Sequence, residues 1–388
     1  MKKLSPTVTA LPVSAATAVD MLVRRRRAEG RDVVSFCVGE PDFPTPVDIA
    51  EAGIAAIRAG ETKYTDPAGT PELRQAVSGY YLRQYGLCYE PQQVVVTDGA
   101  KYAVCAAAGA MAVPGDEFIL PTPCWPSFDP IVRMWQGVPV HAAGERRSGG
   151  KLTPDALRRA VSEKSKALII NNPCNPTGAV YTAGELAELM EVCREYDLYV
   201  IADEVYGALT YDGLRFTPCA ALSEDARERT VTVGGASKSY AMTGWRLGWG
   251  CANPELARAM AVLVNHSTGS PCSVAQSAAL CALRGDGSVT ETMRRAYERR
   301  RDILLPALRR LGLVCAEAQG AFYILSDVSA FAPDGESFAR ELMDGWDVAV
   351  VPGRDFGAPE CVRFAYTLSE ERMAEGLRRL EEYLKEKR

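Results

Sequence analysis

Lys238 lies in an apolar stretch of the sequence, where a charged side chain is unfavourable. The stretch VTVGGASKSYAMTGWRLGWG, residues 231–250, places Lys238 between two apolar runs that we interpret as core strands. Apolar surroundings lower the pKa of an amine, and a neutral amine can attack a carbonyl and form a Schiff base. Ser237 and Arg246 could bind one phosphate beside it. The alternative is an ordinary surface lysine in an irregular loop, since lysines are rarely buried.

A second stretch also suggests a phosphate. A predicted strand at residues 93–97 leads into Asp98, Gly99, Ala100 and Lys101, and an alanine-rich helix follows. The free N–H groups and the dipole of a helix start both favour an anion. The chain has no Walker A spacing and no GxGxxG after a strand, so the sequence does not support a nucleotide.

Polar and aromatic residues follow several other predicted strands. Strands alternate with helices in the middle of the chain, which predicts a mostly parallel sheet. In such a sheet we expect the catalytic and binding residues at the carboxyl ends of the strands. Trp125 lies between prolines and could stack on a flat heterocycle or fill the core. Asp203 ends an apolar strand, where a carboxylate needs a cationic partner, and Tyr206 follows three residues later. Asn175 belongs to the second of two Asn-Pro pairs that bracket a tight turn.

Taken together, these motifs resemble those of class I and II aminotransferases, which are pyridoxal-phosphate (PLP) enzymes of fold type I. Within that family the chain is similar to prokaryotic aspartate and aromatic aminotransferases. The resemblance covers nearly the whole chain and rests on the segments GEPDFPTP, KYTDPAGTPELR, NPCNPTG, DEVY, SKSYAMTGWRLG and VRFAY.

The resemblance implies roles around the cofactor. Lys238 would hold PLP as a Schiff base and move the α-proton of the substrate. Asp203 would pair with the ring nitrogen, Asn175 and Tyr206 would donate to the phenolic oxygen, and Trp125 would cover the ring. The phosphate would be bound at five further positions: Gly99, Ala100, Lys101, Ser237 and Arg246.

The resemblance also implies substrate contacts and a partner. Arg363, between apolar neighbours, would clamp the α-carboxylate, although a structural ion pair with an acidic residue is the alternative. Gly39, Trp125 and Asn175 would contact the substrate as well. Tyr64 would reach the phosphate of a neighbouring subunit, which makes the expected assembly a homodimer with shared active sites. A packed loop aromatic is the alternative for Tyr64.

The 388 residues exceed what one core usually supports. We expect an α/β fold, a mostly parallel sheet flanked by helices, with a smaller α+β C-terminal domain. The predicted limits are 1–46 for an N-terminal arm and part of the small domain, 47–285 for the large PLP-binding domain, and 286–388 for the small domain. Local signals include Thr70 and Pro71 at a helix start and Gly30 after a helix end.

Composition excludes several other classes. A net charge of −5 argues against a nucleic-acid or anionic-membrane surface, and we interpret the basic run at residues 24–27 as a solvated helix face. The twelve cysteines show no CxxC pair or zinc spacing, and we expect no metal. With no signal peptide and no apolar run long enough for a bilayer, we expect a cytoplasmic protein. Neither His141 nor His266 lies in a catalytic motif.

The predicted function is transfer of the α-amino group of an L-amino acid to a 2-oxo acid through the Schiff base on Lys238. Other PLP reactions on the same scaffold remain alternatives: a C–S β-lyase, an amino-acid oxidase or deaminase, or a cyclopropane-carboxylate synthase. A regulator or binding module of the same fold that has lost catalysis would lack the lysine, aspartate or arginine, and all three are present. The sequence leaves the preferred amino acid open.

Overall fold

The computed structural model describes residues 3–9, 11 and 14–387. The strands in these ranges are β1 (Val34–Ser35), β2 (Val94–Thr97), β3 (Glu117–Thr122), β4 (Val138–Ala143), β5 (Ser165–Asn171), β6 (Tyr199–Asp203), β7 (Thr230–Gly235), β8 (Gly248–Cys251), β9 (Val314–Cys315), β10 (Tyr323–Asp327), β11 (Val348–Ala349), β12 (Val351–Pro352) and β13 (Cys361–Ala365).

The α-helices in the same ranges are α1 (Pro6–Thr9), α2 (Ala15–Ala28), α3 (Val47–Arg58), α4 (Pro71–Tyr85), α5 (Ala100–Met111), α6 (Phe128–Met134), α7 (Pro154–Ala160), α8 (Ala183–Glu195), α9 (Glu224–Arg229), α10 (Ala236–Ser239), α11 (Pro254–Ser267), α12 (Ser273–Arg284), α13 (Ser288–Arg310), α14 (Gly335–Trp346) and α15 (Glu370–Glu386). None of these helices is both long and apolar enough to cross a membrane.

A seven-stranded sheet in the order β2-β8-β7-β6-β5-β3-β4 lies at the centre of the fold. Its strands run parallel except β8, which is antiparallel to both of its neighbours. Helices cover both faces: Ile169 of β5 packs with α5 and α11, while Leu168 and Ile170 pack with α7 and α8. This arrangement confirms the predicted mostly parallel sheet, and its double cover explains why the central strands are apolar throughout.

A smaller antiparallel sheet, β12-β13-β10-β9, forms the second layer together with α13, α14 and α15. This sheet confirms the predicted α+β lobe. The N-terminal segment joins the same lobe, because β1 pairs in parallel with β11 and places Val34 opposite Val348. The limits 47–285 and 286–388 stay predictions.

Two connections differ from the expected ones. Lys238 does not lie in an irregular loop but in α10, a four-residue helix that directly follows β7. The polar residues 265–269 predict a loop around His266, but the structure places His266 in the last turn of α11, which continues to Ser267. The sequence pattern ends α11 too early because polar residues follow Val264, and it does not predict α10 at all because one helical turn is too short to show a period.

Candidate active site

A cavity of about 810 Å³ opens at the carboxyl ends of β6 and β7, and residues of α2, β10 and β13 line its other side. It brings together residues that are far apart in the sequence. Eleven of the predicted site residues line it: Gly39, Ala100, Lys101, Trp125, Asn175, Asp203, Tyr206, Ser237, Lys238, Arg246 and Arg363. Of the two remaining predicted site residues, Gly99 lies against Arg246, and Tyr64 is an exposed residue that does not line the cavity.

Lys238 presents its amine to this cavity from α10. The Nζ atom donates a hydrogen bond to the backbone oxygen of Gly39 at 2.7 Å. Burial lowers the pKa of the Lys238 amine from 10.5 to about 8, against the opposing influence of Glu40. An appreciable fraction of this amine is therefore neutral near pH 8, and a neutral amine can act as a nucleophile or as a base.

Asp203 is the last residue of β6 and lies beside Asn171 of β5 in the sheet. Its carboxylate is buried, and its one hydrogen bond among the described residues is a long one, 3.5 Å from the Val205 N–H. Burial raises the pKa of Asp203 from 3.8 to about 7. A buried carboxylate that lacks a salt bridge but faces a cavity has room for a cationic ligand atom.

Arg363 extends from β13 toward the same cavity and is 4% exposed. Its Nη1 donates to Asn175 Oδ1 at 2.9 Å, and its Nη2 donates to the Cys37 backbone oxygen at 3.0 Å. Its Nε has no partner, and no acidic side chain pairs with it within residues 14–387. The structural ion pair that was the alternative is thus not formed, and the guanidinium is left able to bind an external carboxylate.

Arg246 lies at the amino end of α5. Its guanidinium donates to the backbone oxygens of Thr243 and Asp98, at 2.9 and 3.3 Å, and forms no salt bridge in the described part of the chain. Gly99 has a φ of 90°, and a Cβ there would lie 2.5 Å from Arg246 Nη2. Glycine therefore lets the arginine approach the helix start, where the charge and the free N–H groups form an anion site.

Trp125 and Lys101 stand together at the edge of the cavity. The Trp125 ring meets Phe128 edge-on, with centroids 5.2 Å apart, so it both packs on the core and lines the cavity. The Lys101 Nζ lies 4.9 Å from the centre of the Trp125 ring. Among the described residues Lys101 has no acidic partner, and its side chain is free to bind one.

Tyr64 is the predicted residue that the structure does not bring to the cavity of its own chain. Its side chain is 93% exposed. Its predicted contact is with a neighbouring subunit, so this role stays a prediction.

Sequence reasoning missed one face of α2. Thr17, Asp20, Arg24 and Arg27 line the cavity, and both arginines are exposed, so the predicted solvated face also forms part of the cavity wall. Arg24 pairs with Asp20 at 2.8 Å. The spacing of these four positions, three or four residues apart, indicates a single helix face, and that signal was available in the sequence.

A second missed residue is Tyr323, which begins β10 and lies in the wall of the cavity. In the sequence it reads as one more apolar strand position, because the segment AFYIL has no polar neighbour that marks it.

Glu204 follows Asp203 but lies apart from this cavity. Its Oε1 accepts a hydrogen bond from the Cys219 N–H at 2.8 Å, and its Oε2 has no partner within the described residues. It lines a small separate cavity with Tyr80 and Tyr85. Burial raises the pKa of this carboxyl from 4.5 to about 8. Glu204 is consequently neutral between about pH 4.5 and pH 8, where an ordinary glutamate is ionised.

We expect Glu204→Gln to reduce the loss of thermal stability between pH 5 and pH 8. In the wild type the folded chain keeps a proton on Glu204 that the unfolded chain releases, so stability falls as pH rises from about 4.5 to about 8. Glutamine does not titrate, and the difference in Tm between the two pH values should shrink by roughly 5 °C. Thermal denaturation with exposed Glu188→Gln as the control tests this; equal pH dependence in both variants would contradict it.

Comparison with known proteins gives a consistent result. A family model described as aminotransferase class I and II matches residues 31–380. The aspartate aminotransferase of Geobacillus stearothermophilus is 39% identical over 98% of this chain and 99% of its own. The aspartate/prephenate aminotransferase of Thermus thermophilus is 42% identical over 98% of both chains. The structure of aspartate aminotransferase from Thermus thermophilus with maleate superposes with a TM-score of 0.95, at 41% identity, over 99% of this chain and 100% of that one.

The fold and the matches define an enzyme of the PLP-dependent transferase type, fold type I. The chain belongs to the class I and II aminotransferases. It transfers an amino group between an amino acid and a 2-oxo acid, and its cofactor is pyridoxal phosphate. The resemblance noted in the sequence is therefore confirmed at the level of family, fold, activity and cofactor.

The lining of the cavity fits this cofactor chemically. Arg246 without a salt bridge, beside Ser237 and the start of α5, suits a phosphate. The buried Asp203 carboxylate, which lacks a cationic partner in a salt bridge, suits a protonated ring nitrogen. With its Oδ1 occupied by Arg363, Asn175 has its amide N–H₂ left to donate to an oxygen of the ligand.

Proposed function

We propose that the enzyme transaminates an acidic L-amino acid, aspartate in the first instance, against a 2-oxo acid, with its cofactor held by Lys238. The observation that carries the proposal is the convergence of Lys238, Asp203 and Arg363 on one cavity. An amine of lowered pKa, a buried carboxylate and an arginine without an acidic partner are the groups that this reaction requires.

Each of these residues has a distinct task in the proposal. Lys238 forms the covalent link to the cofactor, and Asp203 keeps the ring nitrogen protonated. Pyridoxal phosphate, when bound, supplies a cationic ring that stabilises negative charge at the α-carbon of the substrate. Asn175 and Tyr206 donate hydrogen bonds to the phenolic oxygen. Arg363 binds the substrate α-carboxylate as a two-pronged donor.

The phosphate and the ring have their own contacts. Ser237, Arg246 and the backbone of Gly99, Ala100 and Lys101 at the start of α5 bind the phosphate, while Trp125 covers one face of the ring. Gly39 lines the substrate side, and its backbone oxygen holds the Lys238 amine at 2.7 Å. Once the substrate is bound, that amine takes the α-proton and returns it, because its lowered pKa leaves it able to do both near neutral pH.

The preference for an acidic amino acid follows from charge. Three acidic side chains line the cavity, Asp20, Glu40 and Asp203, against six cationic ones: Arg24, Arg27, Lys101, Lys238, Arg246 and Arg363. The phosphate and one substrate carboxylate do not use all of this positive charge. Lys101 has no acidic partner in the described residues and is placed to bind a second carboxylate. The names of two relatives, an aspartate aminotransferase and an aspartate/prephenate aminotransferase, support the same substrate class.

We expect Lys101→Gln to lower kcat/KM for aspartate by roughly 10- to 100-fold more than for leucine, because the charge-assisted hydrogen bond to the second carboxylate is lost. Steady-state kinetics with both amino acids measures the ratio. Lys166→Gln is the matched control, since Lys166 lies over Tyr199 away from the cavity. Equal losses for the two amino acids in Lys101→Gln would contradict the assignment.

A panel of amino acids with 2-oxoglutarate as the acceptor tests the proposed substrate class directly. Aspartate should give the highest kcat/KM, with formation of glutamate and without release of ammonia. Ammonia released without glutamate formation would instead indicate the lyase or deaminase chemistry available on this scaffold.

We further propose a cytoplasmic homodimer in which Tyr64 of the partner subunit completes each phosphate site. The 93% exposure of Tyr64 and the absence of any disulfide among the described cysteines support these two parts of the proposal. Light scattering tests the dimer. Mixed dimers of one Tyr64→Ala chain and one Lys238→Ala chain test the shared site. If Tyr64 acts across the interface, one site of each mixed dimer carries both changes and the other site carries neither.

A further inference from the structure

The side chain of Tyr323 lies between the two groups of active-site residues. It is 1% exposed and belongs to the small antiparallel sheet. Its hydroxyl is 2.9 Å from the hydroxyl of Tyr206, which follows β6 of the large sheet. The Arg363 guanidinium lies 4.4 Å from the centre of the Tyr323 ring. One side chain thus contacts a residue proposed to bind the cofactor and another proposed to bind the substrate.

Its hydroxyl is held in place by close packing. A Cβ at Gly39 would lie 2.9 Å from the Tyr323 hydroxyl oxygen, so this oxygen rests against the backbone that accepts the Lys238 hydrogen bond. The Tyr323 ring also meets the Tyr206 ring edge-on, with centroids 5.8 Å apart. The contact between the two hydroxyls is therefore fixed by neighbours on both sides.

We propose that Tyr323 is a positioning residue that donates its hydroxyl hydrogen to Tyr206 and so directs the Tyr206 hydrogen toward the cofactor. The inference rests on the proposed function, in which Tyr206 donates to the phenolic oxygen. Tyr206 has a single hydroxyl hydrogen. If that hydrogen goes to the cofactor, the 2.9 Å contact is a hydrogen bond only when Tyr323 is the donor. Within the described residues, the Tyr323 hydroxyl has no other hydrogen-bond partner.

This relay has a chemical consequence. Burial raises the pKa of both tyrosines, so each keeps its hydrogen at working pH. Donation from Tyr323 polarises Tyr206 and makes it a stronger donor. A stronger hydrogen bond to an anionic oxygen stabilises the anion and lowers its pKa. Tyr323 therefore lowers the pH at which the holoenzyme changes its protonation state, without contacting the phenolic oxygen itself.

The aromatic ring and the hydroxyl can be separated by substitution. Phenylalanine retains the ring face that contacts Arg363, so Tyr323→Phe preserves the stacking on the guanidinium and removes only the hydroxyl group with its donated hydrogen bond. Tyr366→Phe is the matched control. Tyr366 is fully buried in the same lobe, its hydroxyl donates to the Ala321 backbone oxygen at 3.4 Å, and it does not line the cavity.

The experiment is a pH titration of the visible absorbance band of each holoenzyme. Tyr323→Phe should raise the midpoint by about one pH unit, and Tyr366→Phe should leave it unchanged. KM for aspartate should stay within about twofold in Tyr323→Phe, since the clamp on the carboxylate is intact. Tyr206→Phe should raise the midpoint at least as much, and adding Tyr323→Phe to it should cause no further change.

The possible outcomes are distinct. An unchanged midpoint in Tyr323→Phe, an equal shift in Tyr366→Phe, or additive shifts in the double variant would each overturn the inference while leaving the proposed function in place. A wild-type holoenzyme whose visible band does not titrate would overturn this inference alone, whereas a holoenzyme without a visible band would overturn the proposed link of the cofactor to Lys238 as well. If Tyr323→Phe does not fold, the titration of Tyr206→Phe decides alone, and an unshifted midpoint there overturns the relay.

Discussion

Lys238→Ala should lower kcat/KM for transamination by about 10⁴-fold or more and should abolish the visible absorbance of the holoenzyme. The substitution removes both the covalent link to the cofactor and the base that moves the α-proton, and proton transfer by a positioned group alone contributes up to about 10⁴-fold. Steady-state kinetics and absorbance spectra measure the two effects.

Borohydride reduction followed by peptide mass mapping identifies the linked lysine independently of activity. The wild type and Lys101→Gln should both gain the mass of one cofactor on the peptide that contains residue 238, and Lys238→Ala should gain none. Cofactor mass on a peptide with any other lysine, or activity within about tenfold of the wild type, would show that another amine does the chemistry.

Asp203→Asn should lower kcat by about 10³-fold, the loss typical for removal of one fixed charge from a buried site. An amide has nearly the same shape as the carboxylate, yet it cannot stabilise a positive charge on a ring nitrogen. The cofactor should also dissociate faster on dialysis. Stopped-flow and steady-state kinetics measure the first effect, and cofactor release measures the second.

Glu204→Gln provides a closely matched control for this variant, because Glu204 is the adjacent residue and is also a buried carboxyl. It lies outside the active-site cavity, and we expect its kcat to stay within about threefold of the wild type. The Asp203→Asn apoprotein should fold as stably as the wild type above pH 7, because a neutral amide is cheaper to bury than a carboxylate. Comparable activity in the two variants would rule out the proposed charge pair.

Much of the site was predictable because its residues follow strands. Asp203 ends β6, Lys238 follows β7, and parallel strands bring such positions to one edge of a sheet. Local rules held as well. Thr70 caps α4 by accepting from the Leu73 N–H, and Gly30, after α2, has the positive φ expected there. These features depend on interactions between residues that are close in the sequence, so a local pattern predicts them directly.

Other features depend on which residues pack against them in the folded chain, and a local sequence pattern does not contain that information. The apolar run of β8 gives no sign that the strand is antiparallel to its neighbours. The four-residue helix α10 is too short to have a period. Arg24 and Arg27 are exposed, as expected, but only the rest of the fold shows that their face of α2 borders the cavity. Tyr323 differs from a phenylalanine by one oxygen, and the importance of that oxygen is visible only next to Tyr206.

The pairing of β1 with β11 affects how the chain is made. Val34 is synthesised more than 300 residues before its partner Val348. During translation β1 therefore has no partner strand until residues 348–349 have been made, and the small lobe cannot close before then. A nascent chain arrested before residue 363 contains Lys238 but lacks Arg363 on the other side of the cavity, so the proposed active site is complete only after that residue has been made.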